Sequence, residues 1–149
     1  MRDFPDINFS ITNDTKSRLP RLPFADMKKR VLGTKYELSL VFVSDAKMAK
    51  LNKTYRDKNG TTDVLSFPIS NTSGEMYISL TDAARQAPDF GMPARNFVGF
   101  LIIHGMLHLK GHDHGSTMER EETKFLRIFK WQKKSPSALT SERIKSKRS

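Results

Sequence analysis

Apolar residues alternate with polar ones in some stretches of this chain and recur at helical spacing in others. Ile7, Phe9 and Ile11 alternate around residues 8–12, which predicts a half-buried strand. Pro23 opens a helix over 23–32, with Phe24, Met27 and Val31 on one face and Gly33 as its stop. Residues 36–43 (YELSLVFV) predict a strong strand, apolar on both faces. Ser44 is an N-cap for a helix over 45–52 that buries Met48 and Leu51. A polar segment, 53–62, precedes a short strand at 63–67, closed by Pro68, and a second at 75–79. Thr81 caps a helix through Ala87, and 88–93 is a loop. The strongest helical pattern covers 94–110, where Phe97, Leu101, His104 and His108 share a face and Gly111 stops the helix. The last helix starts with Ser116 and Glu119 at capping-box spacing and buries Met118, Phe125, Leu126 and Phe129.

Strands and helices are mixed rather than strictly alternating. That predicts an α+β single domain: a small mixed sheet packed by helices. Apolar content stops at Trp131, so the domain is expected over 1–131, with 132–149 a basic, disordered tail. From Lys130 to Ser149 seven bases face only Glu142, so much of the net charge of +10 sits at that end. Such charge suits a polyanionic partner, but like-charged blocks are as often solvated tails, so it does not identify a substrate. No apolar run reaches the roughly 20 residues that span a bilayer, and the acidic N-terminus lacks a secretory h-region. With cysteine absent, a cytoplasmic setting is expected, and any metal site must use imidazole, carboxylate and water.

All four histidines fall within His104-Gly-Met-Leu-His108-Leu-Lys-Gly-His112-Asp-His114. On a helix, His104 and His108 project from one face, a turn apart. Gly111 can turn the chain back so that His114 reaches the same point. Three imidazoles leave a fourth position for water, the catalytic pattern for one zinc ion per chain. The spacing is that of a zincin-like helix and turn, as in metzincin proteases. Those enzymes place a glutamate general base after the first histidine, where this chain has Gly105, so peptide hydrolysis is disfavoured. His112 is an accessory candidate, as a fourth ligand, a proton shuttle or an exposed side chain. Asp113 reads as a buttress for an imidazole or for the turn.

The run HGMLHLKGHDH resembles the signature of the YbeY-type rRNA maturation factors. A second block agrees: Leu51-Asn52-x-x-Tyr55-Arg56-x-Lys58, followed by residues 62–68 (TDVLSFP). A third, residues 74–79 (GEMYIS), carries glutamate where that family usually has aspartate. The resemblance implies a zinc-dependent, single-strand-specific endoribonuclease that matures the 16S rRNA 3′ end and takes part in ribosome quality control. Its partners would be small-subunit rRNA and ribosomal particles, with no DNA and no membrane. The ligands it implies are His104, His108 and His114, and its functional arginine falls on Arg56.

A guanidinium can grip a phosphate through two parallel donors, so with the resemblance Arg56 is the candidate for stabilising charge on a cleaving phosphodiester, while on residue type alone it would pair with Asp57, Asp63 or another carboxylate. By residue type Asp63, Glu75, Asp113 and His112 all qualify as a general base. Attack by water and attack by the ribose 2′-hydroxyl both remain open. Tyr55 and Phe67 are expected to pack rather than stack on bases. Two rival readings are a metallopeptidase and a non-catalytic ribosome assembly factor with a structural metal.

Overall fold

The structure is a computed structural model that describes residues 6–112 and 115–131. Four strands form one sheet in the order β1-β2-β4-β3: β1 (Phe9–Asp14), β2 (Glu37–Val43), β3 (Val64–Ser70) and β4 (Ser73–Ser79). β2 pairs in parallel with both β1 and β4, while β3 and β4 run antiparallel. The expected mixed α+β sheet is therefore observed.

The alternation within β2 divides the core. Leu38, Leu40 and Phe42, with Met76 and Ile78 of β4, meet the larger layer, which contains α1 (Phe24–Val31) and α4 (Ala94–Leu109). Val41 and Val43, with Leu65, Phe67 and Tyr77, meet α2 (Asp45–Arg56) on the opposite face. α4 is the central helix, buried over nearly all its surface from Phe97 onward. It approaches the sheet closely because it carries small residues. A Cβ on Gly105 would press against Met76 Cε and come within 2.7 Å of Ser66 Oγ. Gly99 gives the same room to the Trp131 ring, which closes the domain against α4.

Several boundaries differ from expectation. β1 is an edge strand whose side chains beyond Phe9 are exposed, so it is not half-buried: Ile11 stands 40% exposed and Ile7, outside the strand, 93%. α2 continues one turn past Asn52 to Arg56 and ends where Asp57 takes a left-handed conformation. β3 runs through Pro68, which a sheet edge tolerates because no ladder needs its missing donor, and shifts register between Pro68 and Ser70. α3 (Leu80–Gln86) is capped by Ser79, whose Oγ accepts from Asp82 N at 3.1 Å, rather than by Thr81. The loop after it contains a 3-10 turn, Ala87–Phe90. In α5 (Ser116–Phe129) Ser116 is already helical and Gly115 is the N-cap, so the capping box does not form.

Candidate active site

The C-terminal end of α4 is shaped by its glycine. Gly111 has φ 104° and continues a Schellman closure, with Gly111 N donating to His108 O at 3.0 Å and His112 N to Leu107 O at 3.0 Å. This turn carries the His112 carbonyl back beneath the imidazole of His108, whose Nδ1 donates to it at 3.1 Å. A carbonyl can only accept, so the neutral ring holds its proton on Nδ1 and its lone pair on Nε2.

His104, one turn earlier, is oriented in the same sense by a different group. Its Nδ1 donates to a carboxylate oxygen of Glu122 on α5, and both side chains are buried. The two imidazoles lie nearly perpendicular, with ring centroids 4.7 Å apart. Two histidines with their Nδ1 positions committed to oxygen acceptors are a chemically suitable donor set for zinc through Nε2, and the carboxylate on His104 raises its basicity. The donors therefore fit the ion that the sequence suggests. Among the described residues no three His, Asp or Glu side chains group into a complete metal cage. The expected third ligand, His114, and its neighbour Asp113 lie outside the described residues.

Glu122 is the residue that sequence reasoning missed. Its signal was present: Met118, Glu122, Phe125 and Leu126 recur at helical spacing, and all four are buried. A carboxylate in an apolar stripe needs a partner, and His104 is that partner. Glu122 buttresses His104, and the role expected of Asp113 lies outside the described residues.

Both histidines open onto a cleft of about 410 Å³, lined also by Arg56, Thr62, residues 64–68 and nothing else among the described residues. The cleft wraps the outer edge of the sheet. Ser66, whose Oγ bonds Gly105 O at 3.3 Å, belongs to the α4 side, while Leu65 and Phe67 belong to the α2 side. Arg56 arrives from the last turn of α2, so the structure brings together residues 48 positions apart in the case of Arg56 and His104. The loop that connects α2 to β3 is tied to the helix by buried Asn52, whose Nδ2 donates to Gly60 O at 3.0 Å.

The base candidates separate. Glu75 lies on the sheet face away from α4, where it accepts from Tyr77 OH at 3.2 Å and borders a different depression with Ser39 and Ser10. Burial, and then the Glu75 carboxylate, push the Tyr77 hydroxyl above its usual range. Asp63 is buried and is not among the cleft-lining residues. His112 contributes its backbone carbonyl to the site through His108.

The glycine at position 105 also bears on peptide hydrolysis. A Cβ there would press against Met76 and Ser66 of the sheet, so a glutamate at this position would have to displace them.

Residues 9–133 match the family model described as Endoribonuclease YbeY. A relative with that name from Carboxydothermus hydrogenoformans is 41% identical over 71% of this chain and 74% of its own length. Another from Halalkalibacterium halodurans is 38% identical over 69% of this chain and 74% of its own. A third, from Finegoldia magna, is 39% identical, and the chain spans 60% of that protein's length. The solution structure of a Thermotoga maritima protein superposes with a TM-score of 0.56 at 21% identity, covering 80% of this chain and 87% of that one, a likeness of fold.

Proposed function

This chain belongs to the YbeY family, and on that premise we propose that it is a zinc-dependent endoribonuclease acting on single-stranded RNA. The observation that carries the reading is the cleft that holds Arg56 together with His104 and His108, each histidine turned by a bond at Nδ1. His104, His108 and His114 would hold the ion, and bound zinc would supply Lewis acidity toward the phosphodiester. Arg56 binds the phosphate from the other wall of the cleft and stabilises the charge that grows on its non-bridging oxygens. Glu122 and the His112 carbonyl keep the imidazoles oriented, so no reorganisation is needed when substrate arrives. In the cell we assign the substrate to 16S rRNA near its 3′ end, in the cytoplasm, with a part in ribosome quality control. The net charge of +10 supports a polyanionic partner, and among the described residues no helix is long and apolar enough to cross a membrane.

The test joins metal analysis to cleavage of single-stranded RNA by the full chain and by His114→Ala and Arg56→Ala. Arg56→Ala is expected to keep its zinc and lose roughly a hundredfold in rate, while His114→Ala loses zinc and activity together. Full zinc content in His114→Ala would remove that histidine from the ligand set, and normal cleavage by both variants would overturn the catalytic reading. A 2′,3′-cyclic phosphate on the product would identify the ribose hydroxyl as nucleophile, and a 3′-hydroxyl with a 5′-phosphate on the other fragment would identify water.

A further inference from the structure

Three aromatic rings form a row on the α2 side of the sheet edge, and the row meets the cleft at Phe67. Tyr77 meets Phe67 with centroids 5.9 Å apart, and Phe67 meets Tyr55 at 5.1 Å. Phe67 is both the middle ring of this row and a wall of the cleft, and Arg56, the neighbour of Tyr55 in the chain, is another. The inner ring is anchored because Tyr77 donates to Glu75. The row ends in water: Tyr55 is 63% exposed. Packing accounts for Phe67 and Tyr77, which join the small core under α2, but leaves most of the Tyr55 ring unused.

We propose that Tyr55, held by Phe67, is a stacking platform for an unpaired RNA base next to the phosphate gripped by Arg56. This rests on the endoribonuclease reading and adds to it a physical origin for single-strand preference. An aromatic ring pre-placed by its neighbours receives a base with little loss of side-chain freedom, and every base offers a π-face. A base within a duplex has both faces covered and its backbone fixed, so it cannot turn onto the ring. The cationic side chain beside the platform supplies the attraction for the backbone, and the ring supplies the selection for unpaired bases. Both rings pack as expected, and the proposal adds a use for the exposed part of Tyr55.

The probe is a fully 2′-O-methylated oligonucleotide, which cannot be cut through its 2′-oxygen, carrying 2-aminopurine at each position in turn. Zinc-loaded full chain is titrated with it, single-stranded or annealed to its complement. Wild type is expected to quench 2-aminopurine at one or two adjacent positions of the single strand. Tyr55→Ala should bind the single strand about tenfold more weakly, with duplex binding unchanged and the quench lost, while Tyr55→Phe restores both. Equal single-strand affinity and quench in Tyr55→Ala would overturn the proposal, as would absence of single-strand binding by wild type. Because Tyr55 is largely exposed, its alanine variant should unfold at the wild-type midpoint, and Phe67→Leu gives a second, independent loss of quench. RNA cleavage with an unchanged Tyr55→Ala preference would remove the platform alone; stacking without any cleavage would remove the enzyme reading alone.

Discussion

Glu122 bonds the Nδ1 of His104 from a separate helix, eighteen residues further along the chain. A carboxylate in that position fixes the ring's tautomer and makes its other nitrogen a better donor. Replacing it with an amide of nearly the same shape keeps a hydrogen-bonding partner but removes the charge. Glu122→Gln is therefore expected to weaken zinc binding by about ten- to a hundredfold, read by competition with a chromophoric chelator. A variant that holds zinc as tightly as wild type would show that the carboxylate serves packing alone.

The close approach of α4 to the sheet gives a second outcome. In Gly105→Ala the new methyl must move Met76 Cε and the Ser66 hydroxyl, which lies 2.7 Å from it. The expected loss is about 1–3 kcal/mol of stability, measured by urea unfolding. Gly105→Glu should lose more and gain no peptidase activity, since the new carboxylate faces the strands. A Gly105→Ala midpoint equal to wild type would mean that the helix shifts without cost.

Arg56 offers a test of geometry against charge. Lysine keeps the charge but presents one point where guanidinium presents a planar fork. Arg56→Lys is expected to lower kcat about tenfold and to move KM less. If the loss fell wholly on KM, the arginine would act in ground-state attraction and not on the reacting phosphate.

Acid stability should depend on Asp6. Burial raises the Asp6 carboxyl, but the bonds from Lys28 Nζ, at 2.7 Å, and from Asn8 N outweigh it and hold the group below its ordinary 3.8. A depressed native value means that the pair's contribution is fully present above the unfolded value and is lost as pH falls through the native one. Thermal unfolding followed from about pH 6 to pH 2 should show that loss in wild type. Asp6→Asn should lack this component of the acid transition. It should also be about 3 kcal/mol less stable at neutral pH, because Lys28 is wholly buried and would lose its counter-charge. An unchanged acid profile in Asp6→Asn would place the sensitivity elsewhere.

Local pattern made the histidine helix legible, because His104, His108 and Gly111 all act within about two turns of one another. The Schellman turn follows from the same few residues. Glu122 was not legible as a partner of His104, since its position depends on how α5 packs against α4. The role of Arg56 was likewise carried by family resemblance, and the structure alone shows that α2 reaches far enough to deliver it to the cleft. Apolar spacing ended α2 at Asn52 and left 53–62 as a polar segment, yet four of those residues are helical, up to the αL conformation of Asp57, and Asn52 bonds Gly60 beyond. Pro68 misled for a related reason: it breaks a central strand but suits an outer one, and strand order is a tertiary property.

That outer position has a consequence for how the protein keeps to itself. A strand at the rim of a sheet exposes backbone donors and acceptors on which another polypeptide could add, and this one borders the cleft that holds Arg56, His104 and His108. Pro68 removes a donor from the rim, and the register shift beside it disturbs the regular spacing that an added strand would need. The rim beside the cleft thus carries its own safeguard against strand-to-strand association, and a Pro68→Val chain should reveal it by aggregating during refolding, as light scattering would record.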